Sequence, residues 1–334
     1  MDSPRNGSLI PNRAAVFSYG LFAATLALSA WLHLATLLVT MLFALFALHK
    51  LCFQQRRWLA VLLFFVLVVM VSYGFGLFVH RAVKELPKIV AEAVPHIVRY
   101  ADNHNIDLPF SDLDDLKDAA PKMVGDSLGY LGNFAKIATK EFLMLAAGIV
   151  IALGMFLSRK PEESPEQNLY THYHAAIANC FGTFYRSFET VMGAQLLISL
   201  INTTATAAFV LATPLWIYAG LLIPLTFLCG LLPIVGNLLS NILIVGIAFG
   251  LVSPQMALGA LVFLVVIHKM EYLLNSKIIG SRIRHPMWLT FIALIVGEGL
   301  MGIPGVILAP VILNFLKVES SRYAAPSAGA LSTF

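Results

Sequence analysis

Residues 58–80 read WLAVLLFFVLVVMVSYGFGLFVH, without a single Asp, Glu, Lys or Arg. A helix crossing the hydrocarbon core of a bilayer needs roughly 20 apolar residues, and this run supplies them. Six further apolar blocks surround it, at 16–48, 141–157, 190–212, 215–252, 255–268 and 287–316. Of the 334 residues, 59% are hydrophobic and 12% are charged, where a soluble domain carries about 25% charged residues. Mean hydropathy is +0.82. One soluble core cannot hide so much apolar side chain, whereas a bilayer can. The expected fold class is all-α: a polytopic integral membrane helical bundle with short or broken helices and hairpins, its first partner being the lipid bilayer.

Several blocks are too long for one pass. Block 16–48 holds one ionisable residue, His33, near its middle, which predicts two short helices turning near Trp31–Leu34. The block also exceeds the apolar core of a signal peptide, about 7–15 residues, and reads as retained membrane structure. Pro214 separates the fourth block from the fifth. Gly230, Pro233 and Gly236 interrupt 215–252, and Gly297, Gly299, Gly302, Pro304, Gly305 and Pro310 punctuate the last block. Proline removes a backbone donor and clashes with the preceding turn, so helix breaks are expected at 230–237 and 297–305.

Lys and Arg accumulate on the cytoplasmic side of membrane proteins. With the N-terminus inside, five inward segments carry 14 of the 22 basic residues: Arg5/Arg13, Lys50/Arg56/Arg57, Arg159/Lys160/Arg186, Lys269/Lys277/Arg282/Arg284 and Lys317/Arg322. The other eight lie in 81–140 with nine acids. That stretch is a balanced extracytoplasmic insert, and its apolar residues fall at helical spacing, first Val83, Leu86, Val90, Val94 and Ile97. Two amphipathic helices are expected there, joined near Asp102–Pro109, with Ser111 and Asp114 as a capping pair of the second. The resulting division is 1–80 N-terminal membrane helices, 81–140 insert, 141–157 span, 158–187 cytoplasmic connector, 188–317 core helices and 318–334 a disordered cytoplasmic tail.

What the chain lacks is also informative. It has no G-x-x-x-x-G-K phosphate loop, no HExxH and no glycine-rich dinucleotide loop after a strand, so no nucleotide, cofactor, catalytic residue or enzyme activity is expected. No basic tract interleaves with aromatics, which removes nucleic acid as a partner. Cys52, Cys180 and Cys229 form no CxxC pair, and His172-x-His174 is a weak metal motif, so no metal is expected.

Three stretches could touch a solute. In Cys229-Gly-Leu-Leu-Pro-Ile-Val-Gly-Asn237, a helix break at membrane depth can offer free backbone groups. Pro233, Gly236, Asn237, Ser240 and Asn241 then line a pathway, or they form a self-satisfied hairpin turn. Glu271 and Asn275 share one helix face at i, i+4; they either couple ions or sit on a solvated surface. Glu298, among Gly297, Gly299, Gly302 and Gly305, is either a costly intramembrane carboxylate able to carry a proton or a wet group at an outward turn.

Taken in order, these stretches resemble the autoinducer-2 exporter family, the PerM-type permeases. The resemblance rests on the paired N-terminal helices, the insert, Phe156-Leu-Ser-Arg159, Leu232-Pro-Ile-Val-Gly236, Glu271 and Asn275, Gly280, His285-Pro286, the glycine-rich break and Ala309-Pro310. Asn237 departs from it where a proline often stands, as does Glu298 among its glycines. The resemblance implies a secondary transporter of the bacterial inner membrane, homo-oligomeric, with both termini cytoplasmic. A small polar molecule such as autoinducer-2, or a cation in sodium/proton antiport, is the implied cargo. A scaffold binding envelope partners through 81–140 is the non-transporting alternative.

Overall fold

The computed structural model describes residues 13–52, 56–104, 127–158, 168–232, 235–278 and 286–323; side chains at 127–138, 235, 237, 238, 271–278 and 287 are outside that description. Every regular element among the described residues is helical. In chain order these are α1 (Arg13–Trp31), α2 (Ala35–Leu51), α3 (Arg57–Asn103), α4 (Ser127–Leu157), α5 (Leu169–Ala212), a 3₁₀ turn (Pro214–Tyr218), α6 (Ala219–Gly230), α7 (Val235–Leu251), α8 (Pro254–Ile278), α9 (Met287–Met301) and α10 (Ile303–Ser320). Among the described residues, five helices are long and apolar enough to cross a membrane: α1, α3, the Thr139–Leu157 part of α4, α5 and α10. The protein is a polytopic all-α membrane bundle.

Four expected boundaries fall inside helices: those at 140 and 317 lie within α4 and α10, so the expected tail begins as helix, and two more lie within α3 and α5. α3 runs unbroken through residue 80, and α5 through residue 187. Composition changes at both points because the surroundings change, while the backbone has no reason to stop. The described part of the insert is thus the continuation of α3 to Asn103 and the start of α4 at Ser127; the joint near 109 and the Ser111/Asp114 pair lie outside the described residues. Beyond residue 80, α3 buries only part of the face its spacing suggested, Val94 with Leu86 and Ile97 half-buried, and turns a neighbouring strip inward. Ile89, Ala93 and Val94 are buried, whereas Val83 is 72% exposed.

The chain forms two compact units. The first comprises residues 1–61, 141–193 and 283–334. Phe22 of α1 sits at its centre, with ring contacts to Phe181, Phe184 and Phe315, joined by Leu42, Phe188, Met192, Leu308 and Val311. α1 and α2 are separated by Leu32–Leu34, where His33 takes φ 55°. α4 meets α2 at Gly148, where a Cβ would stand 2.8 Å from the Leu37 carbonyl oxygen. α9 and α10 form a hairpin about Gly302. Its φ of 64° and ψ of −147° lie in a region that only glycine enters without strain. Gly297 and Gly305 face each other across that hairpin; a Cβ at 297 would come within 2.6 Å of the Gly305 carbonyl oxygen. Without a hydrophobic force between helices in lipid, close backbone approach of this kind supplies the packing.

The second unit comprises residues 62–140 and 194–282. Its core gathers Ile89 of α3, Val210 of α5, Leu215, Leu221 and Leu222, Ile244, Ile247 and Ala248 of α7, and Ala257, Ala260 and Leu264 of α8. Leu86 and Ile89 of α3 are therefore covered by their own unit, while Val83 and Val90 stay exposed. Ala93 of α3 abuts Gly250 of α7, where an added Cβ would collide with it.

Candidate functional site

Polar side chains are concentrated at one place in the second unit. Gln195, Ser199, Asn202 and Thr206 recur along α5 at intervals of four, three and four residues, which keeps them on one helix face. Ser199, Asn202 and Thr206 are all buried, as are Thr226 of α6 and Ser240 of α7. The upper part of this stripe serves the α6–α7 break. A helix end leaves its last four carbonyls without intrahelical donors, and at the end of α6 all four find partners. Ser199 Oγ donates to the Phe227 carbonyl at 2.8 Å, and Gln195 Nε2 donates to the Gly230 carbonyl at 2.7 Å. The Leu231 and Leu232 amides donate to the Leu228 and Cys229 carbonyls at 3.2 and 2.9 Å. The last four carbonyls of α6 are thus consumed within the protein.

Gly236 has a packing role. A Cβ there would overlap the Cys229 carbonyl, so the two arms of the hairpin cross backbone to backbone. The hairpin closes further with the Gly236 amide donating to the Leu232 carbonyl at 3.3 Å. Pro233 and the side chain of Asn237 lie outside the described residues.

The lower part of the stripe opens onto a small cavity. Asn202 and Thr206 of α5, Thr226 of α6, Ser240 and Asn241 of α7 and His268 of α8 line it together with Ile267. Its volume is about 10 Å³, about enough for one water. Thr226 Oγ1 donates back to the Leu222 carbonyl at 2.8 Å. The lining thus offers hydroxyls, amides and one imidazole, without a carboxylate. Of the residues singled out in the sequence, Ser240 and Asn241 meet here. Asn202, Thr206, Thr226 and His268 were missed. The four-three-four spacing of polar residues on α5 was the signal that would have found the first two.

The remaining candidates stand elsewhere. The side chains of Glu271 and Asn275, on α8, lie outside the described residues. Glu298 belongs to the first unit; its side chain is exposed, and it makes no hydrogen bond or ion pair with a described residue. Its backbone carbonyl accepts the Gly302 amide at 2.7 Å. Gly297 and Gly305 are the crossing point of α9 and α10, Gly302 is the turn, Gly299 has open space where a side chain would start, and Pro310 lies inside α10. No group of three metal-ligating side chains occurs among the described residues.

Comparison with known proteins settles the family. The model of the AI-2E family transporters matches residues 14–325. The chain belongs to the AI-2E transporter family. It is also similar to the protein named "Putative transport protein YdbI" of Bacillus subtilis (strain 168), 26% identical over 273 residues, 78% of this chain and 75% of the relative. As an AI-2E family member with several membrane-crossing helices, the protein is a multi-pass membrane transporter.

Proposed function

We propose that the protein exports a small uncharged polar solute, of the autoinducer-2 kind, across the bacterial inner membrane, and that Asn202, Thr226, Ser240 and Asn241 contact it. The observation that carries this reading is the convergence of polar side chains from α5, α6, α7 and α8 on one cavity inside an apolar unit. Polar groups buried in a membrane bundle are costly and tend to mark pathways. At about 10 Å³ the cavity is closed to anything larger than water, so loading requires α6 and α7 to part from α5.

The charges of the first unit support an inward placement of both termini. Lys50 at the end of α2 pairs with Glu189 at 2.7 Å. Arg57 donates to the Leu157 and Ser158 carbonyls at the end of α4. Arg186 and Arg322 both donate to Thr183 Oγ1, at 3.1 and 2.9 Å. Basic residues from four separate chain segments thus gather toward one end of the unit, as expected if that end faces the cytoplasm. Homo-oligomerisation remains part of this proposal.

Proteoliposome flux tests the reading. Autoinducer-2 release by the native protein, cut at least tenfold (about 1.4 kcal/mol) in Ser240→Ala with Thr226→Ala while the protein stays folded, is the expected result. Sodium-dependent proton flux, lost in Glu298→Gln, with no solute release would replace export by antiport.

A further inference from the structure

A second cavity, of about 350 Å³, lies in the first unit between the start of α1, the start of α5 and the end of α10. Its volume falls in the range of small-molecule sites, roughly 300–1,000 Å³. One wall carries Glu319, which is 6% exposed. Tyr19 Oη donates to Glu319 Oε2 at 2.9 Å and lies 3.1 Å from Tyr323 Oη. Arg322 Nη1 faces Glu319 Oε1 at 3.0 Å, and its Nη2 donates to Thr183 Oγ1 at 2.9 Å. Asn179 and His172 also line the cavity, and their side chains hydrogen-bond to no described residue. The remaining lining includes the small residues Ala15, Ala175 and Ala176, which leave the space open.

The chemistry of this wall selects by charge. Glu319 and Arg322 already neutralise each other. An anion entering the cavity would meet the Glu319 carboxylate, and a cation would meet the Arg322 guanidinium. Either would have to break an existing ion pair, and a buried charge deprived of its partner is costly. A hydroxyl suffers no such conflict, because it can donate to the carboxylate and accept from the guanidinium or from Asn179. We propose that this cavity is a binding site for a small uncharged, hydroxyl- or amide-bearing molecule, held by the Glu319–Arg322 pair together with Asn179 and His172. The site does not depend on which solute the cluster of the second unit carries.

A cysteine reporter in the full-length protein tests it. Ala176→Cys, in a chain with Cys52→Ser, Cys180→Ala and Cys229→Ala, is reconstituted in liposomes and labelled with N-ethylmaleimide. Xylitol is expected to slow labelling about fivefold at about four times its Kd, whereas choline chloride and sodium acetate at equal concentration leave the rate unchanged. Adding Glu319→Gln with Tyr19→Phe should abolish the xylitol protection. If that double variant fails to fold, Tyr323→Phe, which removes one lining hydroxyl, should weaken the protection. No protection by xylitol, or equal protection by the two salts, would overturn the proposal. Protection by xylitol in a protein that moves no solute would defeat the export reading and leave this site standing. Transport without protection would do the reverse.

Discussion

Gly297 and Gly299 sit two residues apart on α9 in opposite surroundings, and replacing each by Ala separates backbone packing from helix propensity. At Gly297 the new Cβ would stand 2.6 Å from the Gly305 carbonyl oxygen and 2.9 Å from its carbon. Both are backbone atoms, which cannot rotate aside, so α9 and α10 must separate. Overpacking of this type costs about 1–3 kcal/mol. At Gly299 nothing lies within 4 Å of the new Cβ. Both substitutions gain the same helix propensity, about 1 kcal/mol, so the gain cancels in the comparison. Gly297→Ala should therefore be less stable than Gly299→Ala by about 1–3 kcal/mol. Reversible unfolding in mixed micelles with rising dodecyl sulfate, followed by circular dichroism, measures the difference. Equal stabilities, within the ~0.5 kcal/mol scatter of independent sites, would refute the claim that this glycine is a packing residue.

Two further outcomes follow from the same bonds. Ser199→Ala removes the donor to the Phe227 carbonyl and should cost about 0.6–2 kcal/mol, the span found for interhelical hydrogen bonds in membranes; Thr204→Ala, whose hydroxyl bonds only its own helix at Leu200, should cost less in the same unfolding assay. Lys50→Met breaks the ion pair with Glu189, but the Lys50 side chain is 59% exposed, so a loss above about 1 kcal/mol would contradict the weak contribution expected of exposed pairs.

The helical membrane class was legible in the sequence because solvent choice is written in apolar run length. The turn between α1 and α2 was legible from one ionisable residue, His33, in an apolar block. The continuity of α3 and α5 was not, because composition reports what surrounds a helix, and both helices pass from apolar to polar surroundings without a backbone signal. Glycine letters were readable as punctuation only: Gly302 makes a turn, Gly297 and Gly305 a crossing, and Gly299 neither, and only the facing helix tells them apart. Of the polar residues near the central break, Ser240 and Asn241 were found by proximity to Pro233. Their companions on α5, Asn202 and Thr206, lie over 30 positions away in sequence. The Glu319 network was invisible for the same reason, since Tyr19 and Glu319 are 300 positions apart.

The α9–α10 hairpin also fixes how its segment of the gene can change length. The turn is one glycine, closed by the Gly302 amide on the Glu298 carbonyl and by the Gly305 amide on the Gly302 carbonyl at 2.9 Å. One inserted residue between 297 and 305 would rotate everything after it by about 100°, carrying Gly305 off the crossing and a bulkier neighbour onto it. Substitutions can accumulate along both arms away from Gly297, Gly302 and Gly305, but insertions and deletions in this turn cannot, and a tag or reporter placed here would disrupt the packing that places outside it would spare.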